Sequence, residues 1–88
     1  MVVDDEYNRM RWAARRGMLE LDLVLEPFVR DRYRDLGEDD RASFRRLMES
    51  EDQDLFAWFL GRQLPDDQEL AAIVKTVLDF ARTKPEDR

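Results

Sequence analysis

Eighty-eight residues suffice for one small domain with a thin core, burying about 60–65% of the surface of the unfolded chain. With no histidine and no cysteine, the chain excludes a Ser-His-Asp triad, a Cys/His zinc site and any disulfide. Fifteen basic and twenty-one acidic residues give a net charge of −6, which argues against bulk attraction to nucleic acid or to an anionic membrane.

The run Met1-Val2-Val3-Asp4-Asp5-Glu6 is acidic. It has neither the apolar segment of a secretory signal nor the arginines of a transit peptide, so a cytoplasmic protein is expected. No apolar run approaches the roughly eighteen residues that cross a membrane. Hydrophobic residues make up 43% of the chain and include five Phe, two Trp and two Tyr, more than a disordered chain carries. Strand signals are missing: there is no period-two run of β-branched residues and no Asn-Gly or Asp-Gly turn. The reading is all-α, a small single-domain antiparallel helical bundle of about five helices over 1–88, frayed at about 1–4 and 84–88.

The first helix is expected at about 5–15. Tyr7, Met10, Arg11 and Ala14 fall on one side, with Trp12 beside them. Asp4, Asp5 and Glu6 suit its N-terminal dipole, Arg15 and Arg16 its C-terminal end, and Gly17 terminates it. Arg9, Arg11, Arg15 and Arg16 are the one dense basic group in the chain. No recognition-helix pattern accompanies them, so a solvated face or a protein contact is favoured over nucleic acid.

The second helix begins near 18 and runs towards 36. Leu21, Leu25, Phe28 and Leu36 recur at helical spacing, widened by Val29 and Tyr33. Pro27 lacks an amide hydrogen, so the helix either kinks there or restarts with Pro27 in its first turn. Asp22 and Glu26 lie off the apolar stripe; without a third convergent ligand they read as a solvated face rather than a metal or acid–base pair.

Gly37 ends that helix, and Glu38, Asp39 and Asp40 open a third reaching about 49. It buries Phe44, Leu47 and Met48 and turns Arg41, Arg45 and Arg46 to solvent. Ser50 with Gln53 forms a capping box for a fourth helix at about 51–60, or Asp52 caps it instead. Leu55, Phe56, Trp58, Phe59 and Leu60 make this helix apolar nearly all round, which favours the core for its aromatics over an exposed contact made by Phe56 and Trp58, and Gly61 closes it. Asp66 opens the last helix, with Glu69 three residues on, and Leu70, Ile73, Val74, Val77, Leu78, Phe80 and Ala81 form its buried face up to about Thr83.

The core thus accounts for most residues, leaving Arg15, Arg16, Gly17, Met18, Glu20 and Asp22 without a role. If the second helix starts near Gly17, Arg16 and Glu20 share a face four residues apart. A glycine between opposite charges lets another backbone approach closely while the charges orient it. The bland reading of the same stretch is a helix–helix turn with charged neighbours.

The stretch Trp12-Ala13-Ala14-Arg15-Arg16-Gly17-Met18-Leu19-Glu20-Leu21-Asp22 resembles the signature of the SdhE family of succinate dehydrogenase flavinylation, or FAD assembly, factors. The family's Arg-Gly-x-x-Glu motif matches Arg16, Gly17 and Glu20, and the resemblance continues through Pro27-Phe28, Leu47-Met48-Glu49, Asp52-x-Asp54-Leu55-Phe56-x-Trp58 and Gly61-x-x-x-Pro65. Gln53 departs from it, standing where members often carry proline.

The resemblance implies a protein that is not an enzyme and has no cofactor of its own. Such a protein binds the flavoprotein subunit of succinate dehydrogenase, and in some bacteria that of fumarate reductase. It promotes covalent attachment of the partner's FAD to a histidine of that subunit, acting as a monomer. Arg16, Gly17 and Glu20 would carry the contact, Arg16 through a forked hydrogen bond, with Arg15, Met18 and Asp22 in support. The alternatives are a small regulatory or antitoxin-like binding module with another target, and a small enzyme built on Asp/Glu pairs.

Overall fold

Five stretches of helical periodicity fold into five α-helices in the computed structural model, which describes residues 2–83 and Glu86: α1 (Val2–Ala13), α2 (Leu19–Arg32), α3 (Glu38–Met48), α4 (Asp52–Phe59) and α5 (Gln68–Arg82). Among the described residues there is no strand, and no helix is long and apolar enough to cross a membrane. Of the ends expected to fray, Met1, Lys84, Pro85, Asp87 and Arg88 lie outside the described residues, while 2–4 belong to α1.

The buried side chains form one cluster. α2 supplies Leu21, Leu25, Phe28 and Val29; α3 supplies Phe44, Leu47 and Met48; α5 supplies Ile73, Val74, Val77 and Phe80. Phe28 sits at its middle, with ring centroids 5.5 Å from Phe44 and 5.6 Å from Phe80, and Tyr33 packs edge-on to Phe44 at 5.7 Å. Aromatic pairs at these separations add to the stabilisation from area burial alone. α1 closes one side with Tyr7, and Ala14 just beyond its end is buried with it.

Several expected details change. α2 runs through Pro27 without a break, then tightens at Tyr33–Asp35 into a 3-10 turn. Gly37 therefore caps the start of α3 rather than ending α2. The Ser50–Gln53 capping box does not form; Glu51 is the N-cap of α4 and makes no side-chain cap bond. Asp67, one residue beyond the expected Asp66, caps α5 by accepting the Leu70 amide at 3.0 Å. Its carboxyl is held below the ordinary aspartate range, first by the hydrogen bond from Arg46 and then by that backbone amide. At the end of α4 the left-handed residue is Arg62 (φ 61°), not Gly61. Gly61 is needed for another reason: a Cβ there would lie 2.7 Å from the Ala57 carbonyl oxygen.

α4 is less buried than its composition suggests. In two turns it covers Leu55 and Phe59, while Trp58 is half-buried and Phe56 and Leu60 are exposed. Arg41 and Arg45 are not simply solvated. Both reach Glu6 of α1, at 3.3 and 2.7 Å, and all three side chains are largely or partly withdrawn from water. The Tyr33 hydroxyl lies buried beside Arg45 and Glu6 without a well-formed hydrogen bond to either, and burial pushes its pKa up. Arg46 alone of the three stays exposed, bridging to Asp67 at 2.9 Å and Glu69 at 3.5 Å.

Candidate functional site

The turn between α1 and α2 spans five residues and is shaped by Gly17, whose φ of +81° lies in the left-handed region that side chains with a Cβ disfavour. α1 ends at Ala13, two residues earlier than its charge pattern suggests, and α2 begins at Leu19 behind the extended residue Met18. Arg16 consequently stands outside the helix that carries Glu20. The shared face expected for this pair does not form, because the four-residue relation holds only within a continuous helix.

Arg16 turns inward. Its side chain is 17% exposed and crosses to the connection between α3 and α4. Nε donates to Asp52 Oδ1 at 2.7 Å, Nη1 to the carbonyls of Ala13 and Met48 at 3.0 Å each, and Nη2 to the carbonyl of Ser50 at 2.9 Å. Of the five N–H groups a guanidinium offers, four are engaged within the chain. The forked bond expected towards a partner is made here to the chain itself. It satisfies carbonyls at the C-terminal end of α3 that no helical amide reaches. The Arg16 backbone N–H donates to Asp22 Oδ1 at 2.8 Å, so Asp22 locks the same turn from the α2 side.

The remaining expected residues divide into two groups. Met18 is half-buried and packs against the core. Arg15, Gly17 and Glu20 are exposed, and open space surrounds the position a Gly17 Cβ would take. Arg15 pairs with Glu26 at 3.0 Å and lies 5.8 Å from the Trp12 ring.

Around this turn the fold leaves large apolar side chains in water. Trp12 is 72% exposed, Leu19 69% and Leu23 66%. Trp12 was expected beside the buried side of α1, yet Tyr7 and Ala14 take that side. Leu23 was detectable: it lies two residues from both Leu21 and Leu25, about 200° around the helix from each, and so opposite the buried stripe. Trp12, Leu23 and Pro27 line a groove of about 400 Å³ between α1 and α2, edged by Arg11, Arg15 and Arg30. Among the described residues no cluster of three carboxylates could hold a metal ion, and Asp22 and Glu26 are both engaged by Arg residues.

Comparison with known proteins extends this picture. The model of a family described as flavinator of succinate dehydrogenase matches residues 8–81. The chain belongs to this family. Its relatives within it include proteins named FAD assembly factor SdhE. That of Pseudomonas savastanoi pv. phaseolicola is 50% identical over 84 residues, covering 96% of this chain and all of the relative. That of Idiomarina loihiensis is 54% identical over 71 residues, 81% of this chain and 79% of the relative. That of Pseudomonas aeruginosa is 46% identical over 86 residues, 98% of this chain and all of the relative. The matched span of the family contains the first turn, the Arg16 crossing and the groove together.

Proposed function

We propose that this chain is an assembly factor that docks through its first turn on the flavoprotein subunit of succinate dehydrogenase and promotes covalent attachment of FAD to that subunit. Gly17 carries the reading: a left-handed, solvent-facing glycine with open space before it, between exposed Arg15 and Glu20, offers a partner backbone a close approach. Membership of a family described as flavinator of succinate dehydrogenase supports that enzyme's flavoprotein as the partner.

The proposed role is assistance without catalysis. The chain has no histidine or cysteine to act as a nucleophile, and FAD belongs to the partner. By holding the flavoprotein in the arrangement in which its histidine faces the flavin, the factor lowers the barrier through alignment, an effect that reaches about 7–11 kcal/mol in well-oriented systems. Arg16 and Asp22 fix the shape of the turn, and Arg15, Gly17 and Glu20 meet the partner. The flavoprotein of fumarate reductase is a second client by the same chemistry, and the factor acts in the cytoplasm as a monomer.

The test mixes purified chain, apo-flavoprotein and FAD, and reads in-gel flavin fluorescence after denaturation. Covalent flavin above the level reached without the factor is expected. Equal fluorescence with and without it ends the reading.

A further inference from the structure

We infer that the α1–α2 groove is a second element of the docking face, built to take an acidic segment of the flavoprotein partner that carries one large apolar side chain. This rests on the docking reading above and specifies the chemistry of what is docked. Three observations support it.

The floor is apolar and exposed: Trp12 and Leu23 lie open to water on facing helices, with Pro27 beside them. An indole and a leucine left in solvent by a domain with so small a core mark a contact surface. At about 400 Å³ the groove accepts one large side chain with its backbone.

Its edge is positive on a chain whose net charge is −6. Arg11, Arg15 and Arg30 line it against Asp22 and Glu26, and those two carboxylates already accept from the Arg16 amide and from Arg15. Among the described residues Arg11 has no ion pair, and the Arg30 fork is held by its exposed sequence neighbour Asp31, Nε to Oδ1 at 2.8 Å and Nη2 to Oδ2 at 3.0 Å. An incoming carboxylate therefore finds the Arg11 guanidinium open for paired hydrogen bonds, and Arg30 by exchange for an exposed neighbour whose pairing is worth little.

Pro27 lies inside α2 and brings no amide hydrogen to the Leu23 carbonyl one turn earlier. Both residues line the groove, which places a carbonyl without its helical donor beside the site.

The experiment measures binding of the full chain to purified apo-flavoprotein for wild type, Trp12→Ala and Arg11→Glu, with melting temperatures and sedimentation of the chain alone. Both variants alter exposed side chains, so unchanged melting temperatures are expected. Each should weaken binding by about tenfold or more. The Arg11→Glu deficit should shrink between about 0.1 M and about 1 M salt, whereas the Trp12→Ala deficit should persist. Wild-type affinity in both variants, with the unmodified chain still binding, overturns the groove while leaving the docking reading intact. No binding by the unmodified chain overturns both. Self-association of the chain alone that Trp12→Ala abolishes assigns the groove to a second copy and overturns the inference.

Discussion

Arg16 and Asp52 meet at 2.7 Å across thirty-six residues of sequence, and the same guanidinium takes the carbonyls of Met48 and Ser50 on either side. This one side chain ties the first turn to the third connection. The arginine that begins the Arg-Gly-x-x-Glu motif is thus a determinant of the turn's shape before it is a contact.

Removing it should therefore destabilise the domain. Arg16→Ala leaves three carbonyls without their donor and is expected to lower unfolding free energy by about 2–4 kcal/mol in urea titrations. Asp52 is nearly half exposed, so the ion pair itself is a small part of this and Asp52→Asn should lose about 1 kcal/mol or less. Arg16→Lys keeps the charge but not the fork, and should recover only part of the loss. An Arg16→Ala variant as stable as wild type would refute the tie.

Gly17 separates backbone strain from docking. Its φ of +81° makes Gly17→Ala cost about 1–2 kcal/mol although nothing obstructs the new methyl. Asn tolerates this backbone better, so Gly17→Asn should melt closer to wild type. It should nonetheless reduce flavin attachment on the partner, because a side chain now stands in the approach path. Full flavinylation by Gly17→Asn, read by in-gel fluorescence, would remove close approach as the reason for glycine.

Alkaline pH should weaken the fold through Tyr33. Burial raises its folded pKa above the ordinary value of 10.0, so the stability it lends is complete below that pH and is lost as pH rises through the folded value. Tyr33→Phe removes the titrating group and an unpartnered buried hydroxyl together. It should match or exceed wild type by up to about 1 kcal/mol at neutral pH and flatten the alkaline decline in melting temperature.

Acid acts on Asp67 with the opposite sign. Its folded pKa is depressed, so its contribution is present above the ordinary value of 3.8 and is lost as pH falls through the folded value. Asp67→Asn keeps an acceptor for the Leu70 amide but cannot titrate. Melting temperatures followed from neutral pH into acid should fall less steeply for this variant, and an identical slope would exclude Asp67 as a source of the acid response.

What was legible in the sequence was local. Ile73, Val74, Val77 and Phe80 announce α5 by spacing alone, and Leu21, Leu25 and Phe28 announce α2, because the apolar period is a property of neighbouring residues. What was hidden depends on contacts between distant segments. Arg41 and Arg45 read as a solvated face because Glu6, which both engage, lies on another helix. Leu60 reads as core, and Phe56 as core in preference to an exposed contact, because composition does not reveal how few turns of α4 find neighbours. At the site, Gly17 was recognisable from its residue type, but the inward course of Arg16 was not, since three of its four acceptors are backbone carbonyls that any sequence would supply.

The Arg16 crossing also sets a time at which the protein becomes competent. Three of its four acceptors lie 32 to 36 positions downstream, so a nascent chain emerging from the ribosome has no finished first turn until Asp52 has cleared the exit. A fragment comprising α1 and α2 alone presents Gly17 and Glu20 with the turn held by its local bonds to Asp22 and Ala13 alone, without the crossing to α3 and α4. Recognition of the client thus waits for synthesis of more than half of the polypeptide.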